Sequence, residues 1–137
     1  MGNEELLASV PLFSKVDKPD IERMARSVVP RSYKAGETIV KEGEQAVAFY
    51  IIASGRVVVR KGETELNTLG PGECFGEMAL LDGYPRATSV VALDDTELLA
   101  MTRWDFTAEL RTNPTIAVAM LPVLSKRIRQ LEGEEVR

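Results

Sequence analysis

Short β-prone runs separated by glycine limit the possible folds of this chain more strongly than any other feature. At least seven such runs occur between residues 29 and 102, and no long helical pattern interrupts them. This spacing predicts an antiparallel sandwich or barrel, and the number of runs fits either a small barrel or a jelly roll. The predicted strands are residues 31–34, 38–41, 49–53, 56–60, 64–69, 88–93 and 97–101.

Two tight turns inside this region predict β-hairpins. Ser54-Gly55 lies between two neighbouring β-prone runs, and Asp94-Asp95 lies between the last two. Glycine, serine and aspartate are common in short hairpin loops. We therefore expect each turn to join two strands that pair with each other.

Helical patterns precede the β region. Residues 1–28 predict a short leading helix at about Glu4 to Ser9 and a second helix that Asp17 can cap. The second helix is expected to cover one end of the core, because apolar residues recur at helical spacing along one face. These residues are Ile21, Met24, Ala25 and Val28.

Residues 103–137 predict two C-terminal helices, of which the second begins at Asn113 and Pro114. Apolar residues spaced alternately four and three apart along this helix resemble a coiled-coil seam: Ala117, Leu121, Leu124, Ile128 and Leu131. The helix is expected either to pack on the β region or to pair with a second copy of the chain. Pro122 predicts a kink, which makes this helix a candidate moving part.

The composition excludes several kinds of chemistry. The 137 residues contain no histidine, the usual ligand of cupin-type metal sites and the usual base of Ser-His and Cys-His nucleophiles. The single cysteine fits a reducing, cytoplasmic compartment. A net charge of -4 argues against a general nucleic-acid surface, and no apolar run reaches the roughly 20 residues that span a bilayer. We predict no catalytic residues, no metal and no enzymatic activity.

Residues 72–91, GECFGEMALLDGYPRATSVV, contain the residue types of an anion site. Gly76 permits close approach of the backbone, and the helix-favouring run after it would direct free N–H groups towards a ligand. Arg86 supplies a fork of donors for phosphate oxygens. Glu77 would repel phosphate but suits a neutral hydroxyl, so together they indicate a phosphorylated sugar. A purely structural Glu77–Arg86 ion pair is the alternative.

This stretch closely resembles the phosphate-binding cassette of the cyclic nucleotide-binding domains. Such domains occur in the catabolite activator protein family, the regulatory subunits of cAMP-dependent protein kinase and cyclic-nucleotide-gated channels. The matching motifs are FGEMAL at residues 75–80 and PRAT at residues 85–88, with no insertion. The resemblance implies one mainly β domain over residues 1–137: an eight-stranded antiparallel jelly-roll barrel (a double-stranded β-helix) with N-terminal and C-terminal helices.

The resemblance also implies roles for individual residues. Glu77 would hold the ribose 2′-hydroxyl and Arg86 the cyclic phosphate, while some of the others would contribute backbone contacts. The implied ligand-binding set is Gly76, Glu77, Met78, Ala79, Arg86, Ala87 and Thr88.

The residue after the arginine suggests which base is preferred. Ala87 lies where cGMP-selective relatives often have threonine, so cAMP is favoured and cGMP is the alternative. Thr88 comes one residue later and is expected to face the other way if the strand includes it. The stretch that corresponds to the family's base-capping helix, residues 120–124, is apolar. Arg127 or Arg129 could instead stack on the base as a cation.

Two functions are therefore expected from the sequence. The first is a regulatory sensor that binds a cyclic nucleotide and signals through movement of the C-terminal helix to an effector protein. The second is a dimerisation or protein-interaction module that keeps the fold without needing a nucleotide. No helix-turn-helix sequence is present, so direct DNA binding is not expected, and the chain would be the sensor portion of any larger transcription regulator.

Overall fold

The computed structural model describes residues 2–133, which form eight strands and five α-helices. The strands are β1 (Val29–Tyr33), β2 (Thr38–Val40), β3 (Ala48–Ser54), β4 (Val57–Lys61), β5 (Thr64–Leu69), β6 (Cys74–Phe75), β7 (Ser89–Ala92) and β8 (Thr96–Thr102). The helices are α1 (Asn3–Ala8), α2 (Lys18–Met24), α3 (Glu77–Asp82), α4 (Arg103–Thr112) and α5 (Pro114–Leu131). A 3₁₀ turn at Pro11–Phe13 separates α1 from α2. The ends of the predicted helical regions, residues 1 and 134–137, lie outside the described residues.

The strands form two four-stranded sheets, ordered β1-β8-β3-β6 (the first sheet) and β2-β7-β4-β5 (the second sheet). All the strand pairs are antiparallel. The predicted mainly β, eight-stranded jelly-roll class with helices at both ends is thus confirmed. The short strand β6 was not predicted, because two residues carry no readable alternation.

Both predicted hairpins are wrong, because their turns connect different sheets. β3 lies in the first sheet and β4 in the second, so Ser54-Gly55 crosses between them, as Asp94-Asp95 does between β7 and β8. The two crossings pack together: a Cβ on Gly55, whose φ is +88°, would lie 2.6 Å from the carbonyl oxygen of Asp95. Turn residues specify a reversal of the chain, but long-range packing decides which strands pair.

The first sheet lies between two hydrophobic layers. Along β3, Phe49 and Ile51 pack with the helices, whereas Tyr50 and Ile52 pack with Val57 of the second sheet. This alternation follows from the two-residue period of a β-strand. The four apolar residues predicted for the second helix all lie in the helical layer: Ile21, Met24, Ala25 and Val28. Only Ile21 and Met24 belong to α2, because the helix ends at Met24.

The two halves of α5 differ in how they are held. Its first half is anchored, because Ile116 and Met120 are buried and Thr115 Oγ1 donates a hydrogen bond of 2.9 Å to Asp20 Oδ2. Its second half exposes much of the predicted seam: Leu121 is 62% exposed, Ile128 56% and Leu131 88%. Packing on the core therefore does not account for this seam. The helix continues through Pro122, and the kink predicted there stays a prediction. Within residues 2–133, no helix combines the length and the apolar composition that a membrane span needs.

Candidate functional site

Six of the seven predicted ligand-binding residues surround one cavity of about 200 Å³, which we call the cassette cavity. They are Gly76, Glu77, Met78, Arg86, Ala87 and Thr88. The seventh, Ala79, lies in α3, and the structure describes its backbone only. Sequence reasoning missed the opposite, apolar side of the cavity, which residues of β2, β4, β6 and β7 provide. These are Val40, Val59, Phe75 and Val90.

Arg86 is a buried cation held by neutral groups. It is 7% exposed, and its guanidinium donates hydrogen bonds to the carbonyl oxygens of Ala48 and, at 3.3 Å, Gly76. Burial lowers the pKa of Arg86 below its ordinary value, and the nearby Tyr50 acts in the opposite direction. Arginine nevertheless stays protonated in proteins. Among the described residues no carboxylate forms an ion pair with Arg86, so its positive charge is available to an anion.

The loop before β3 fixes the backbone of Arg86. Its N–H donates to the carbonyl of Glu44 and its carbonyl accepts from the N–H of Gly43, both at 2.8 Å. A Cβ on Gly76 would collide with the Arg86 guanidinium, and the φ of Gly76 is +89°. The backbone conformation therefore favours glycine here, and a larger residue would also displace the arginine. These contacts give the guanidinium a defined position before any ligand arrives.

Glu77 begins α3 and faces the C-terminal helix rather than Arg86. Its Oε1 lies 3.8 Å from Nη2 of Arg127, and its Oε2 accepts a weak hydrogen bond of 3.9 Å from Sγ of Cys74. Among the described residues, Glu77 and Arg86 therefore do not form the ion pair that was the alternative interpretation of the sequence. Both charged residues line one cavity, where Glu77 can accept a hydrogen bond and Arg86 can bind an anion.

Arg127 connects α5 to the cassette. Besides its ion pair with Glu77, its Nη1 lies 3.3 Å from Sδ of Met78. The sequence indicated Arg127 or Arg129 as a cation that could stack on the base, but it gave no sign of the contact between Arg127 and Glu77. Nothing in local spacing reveals it, because the two residues are 50 positions apart and meet only through packing of the whole chain.

Cys74 does not add a reactive group to the site. Burial, together with the negative charge of Glu77, raises the pKa of the Cys74 thiol to about 12. The nucleophilic form of cysteine is the thiolate, which is scarce several units below the pKa. The thiol therefore acts as a small apolar side chain near neutral pH.

Thr88 was expected to face the other way only if the strand included it, and this condition is not met. Alternation of side chains holds only inside a strand, and β7 begins one residue later, at Ser89. Both Ala87 and Thr88 consequently line the cassette cavity. Thr88, which the resemblance had included in the ligand-binding set, thus lines the same cavity as Arg86.

Comparison with known proteins gives concordant results. Residues 30–113 match the family model described as the cyclic nucleotide-binding domain. The chain is 37% identical over 129 residues to the cyclic AMP receptor protein of Thermus thermophilus, covering 90% of this chain and 60% of that protein. It is 41% identical over 101 residues to the cAMP-dependent protein kinase type II regulatory subunit of Drosophila melanogaster, covering 71% and 27%.

Among solved structures, the N-terminal domain of a transcriptional regulator from Streptomyces coelicolor superposes with a TM-score of 0.85 and 28% identity. That match covers 94% of this chain and 93% of the other. The chain therefore spans nearly the whole of that N-terminal domain but less than two thirds of the two curated relatives named above.

Proposed function

This chain belongs to the cyclic nucleotide-binding domain family, and we propose that its ligand is cAMP, bound in the cassette cavity and reported through α5. It is a regulatory sensor module of the type found in receptor proteins and kinase regulatory subunits. One observation carries the proposal most strongly. A buried guanidinium without a carboxylate partner among the described residues lies at the same cavity as a carboxylate that can accept a hydroxyl.

The two charged residues suit different parts of a cyclic nucleotide. The guanidinium of Arg86 can donate two parallel hydrogen bonds to the cyclic phosphate, which neutralises its single negative charge. Glu77 can accept from the ribose 2′-hydroxyl, a neutral partner that a carboxylate does not repel. The three valines of the second sheet give the rest of the nucleotide an apolar surface: Val40, Val59 and Val90.

We favour cAMP over cGMP as the ligand. Ala87, directly after the arginine, offers no side-chain hydroxyl to a guanine, and two relatives are named for cAMP: the cyclic AMP receptor protein and the cAMP-dependent kinase regulatory subunit. Thr88 also lines the cavity, so cGMP is the ligand to compare first. A binding role is proposed rather than a catalytic one, because the sequence has no histidine with which to activate water. A cytoplasmic location is part of the proposal and fits the single, unpaired cysteine.

The proposed signal is a change in the position of the second half of α5. Its first half is anchored through Thr115 and two buried apolar residues, whereas its second half touches the cassette through the Arg127–Glu77 ion pair. Pro122 lies between the two halves and weakens the helix there. A nucleotide that engages Glu77 removes the partner of Arg127. It therefore shifts the equilibrium between two positions of α5, to the extent that it binds one position more tightly than the other.

Replacing Arg86 tests the assignment of the phosphate site. We expect Arg86→Ala to weaken cAMP binding by about 30-fold or more in titration calorimetry, because removing one partner of a buried charge pair costs about 2–5 kcal/mol. Arg86→Lys, which keeps the charge but loses the fork, should have an intermediate affinity and provides a test if the alanine variant folds poorly. Arg31→Ala, at an exposed arginine of β1, is the control. Unchanged affinity in both Arg86 variants would refute the assignment.

Hydrogen exchange tests the role of α5. With cAMP bound, the amides of residues 123–131 should exchange at least about fivefold more slowly, because typical allosteric coupling begins at about that factor. The exchange rates of residues 115–120 should change little. Arg127→Met should reduce this ligand effect, because it removes the contact with Glu77. Lys126→Met, at the neighbouring exposed position, should leave it intact. Identical exchange of wild-type α5 with and without cAMP would exclude the helix as the signal.

A dimerisation module is the second candidate function, and the exposed seam of α5 supports it. If the seam joins two copies, native mass spectrometry of purified protein should show a dimer, and Leu121→Glu with Ile128→Glu should yield monomers. Leu66→Glu, at an equally exposed leucine of β5, is the control and should remain dimeric. A dimer that retains no nucleotide and ignores added nucleotides would favour this function over sensing. A wild-type monomer would exclude it.

A further inference from the structure

A second concavity, here called the basic groove, lies between the 3₁₀ turn and the second half of α5. Its volume is about 660 Å³. Pro11, Ser14 and Lys15 form one side, and α5 residues between Pro122 and Gln130 form the other. The basic groove shares no lining residue with the cassette cavity, and it excludes the exposed seam residues Leu121 and Ile128. It is therefore a separate surface.

The charge of the basic groove is opposite to that of the chain. Among residues 2–133, four basic residues and no acidic residue line it, although the chain carries a net charge of -4. Neither Lys15 nor Lys126 forms an ion pair with any of the described residues. The basic lining residues are Lys15, Lys126, Arg127 and Arg129. Walls of one sign concentrate the field in a concave surface and attract a ligand of opposite charge.

We propose that the basic groove binds an acidic peptide segment of a partner protein. Carboxylates of such a segment would lie against the cations, while Pro11, Pro122 and Val123 provide apolar contact that a simple inorganic anion would not use. Ser14, Ser125 and Gln130 also line the groove and can hydrogen-bond a peptide backbone. The helical wall from residue 122 to 130 is about 12 Å long, which about four extended residues match.

Arg127 couples this groove to the cassette. The same side chain lines the basic groove and pairs with Glu77 at 3.8 Å. A carboxylate in the groove competes with Glu77 for the guanidinium, so peptide binding and nucleotide binding should alter each other's affinity by the same factor. Only this coupling depends on the proposed function; binding of the peptide itself does not.

The test uses a fluorescein-labelled eight-residue peptide of alternating glutamate and leucine, with anisotropy measured at 150 mM salt. Wild-type protein should bind it, whereas a matched peptide with glutamine in place of glutamate should not bind. Lys15→Glu with Lys126→Glu should weaken binding by roughly tenfold or more. Lys34→Glu with Lys61→Glu changes the net charge by the same amount at exposed positions that do not line the groove, and should stay within about twofold of wild type.

The outcomes separate the proposal from general charge attraction. Equal losses in both double variants, or no binding of the glutamate peptide to wild type, would overturn it. Tighter binding of a single-stranded oligonucleotide that displaces the peptide would identify nucleic acid as the occupant and overturn it too. Calorimetry with cAMP on the same proteins should give an unchanged affinity in the Lys15/Lys126 variant. Failure of cAMP to bind wild type would count against the proposed function but not against the peptide site.

Discussion

The buried guanidinium of Arg86 is the interaction on which the rest of the site depends. Removing a cation from water is costly unless its donors are satisfied, and here two backbone carbonyls, of Ala48 and Gly76, accept from it. Those carbonyls belong to β3 in the first sheet and to the turn before α3, so the arginine ties the cassette to the sheet. Because carbonyls are neutral, the positive charge is not cancelled, and an anion entering the cassette cavity can complete the arrangement.

The jelly roll makes this possible by bringing distant segments together. The second sheet supplies an apolar surface, the loop at Gly43 and Glu44 holds the backbone of Arg86, and α3 presents Glu77. On the other side of Glu77, Arg127 connects the site to a helix whose first half is fixed and whose second half is exposed. The carboxylate of Glu77 therefore links the cavity to α5, because it lines the cavity and pairs with Arg127. The same arginine lines the basic groove, so the peptide proposed to bind there would contact the side chain that pairs with Glu77.

Local pattern was sufficient for the features that depend on local chemistry. Alternation along β3, the apolar face of α2, and the start of α5 at Asn113-Pro114 were all predictable, since each follows from strand or helix periodicity or capping. Six of the seven residues that the resemblance of residues 75–88 indicated lie around one cavity, and their role in ligand binding stays a prediction. What failed depends on long-range packing. Gly55 and Asp95 reverse the chain, but they pack against each other as sheet crossings, and Arg127 meets Glu77 only in the folded chain.

The central claim is that Arg86 and Glu77 recognise the phosphate and the sugar of one cyclic nucleotide. It is tested most directly by thermal shift of the wild-type protein with cAMP, 2′-deoxy-cAMP and 5′-AMP at equal concentration. At a concentration about a hundredfold above its Kd, cAMP should raise the Tm of the protein by about 5 °C or more. The 2′-deoxy analogue should give a smaller rise, because Glu77 loses its hydroxyl partner. No shift with cAMP, or equal shifts with cAMP and its deoxy analogue, would contradict the account.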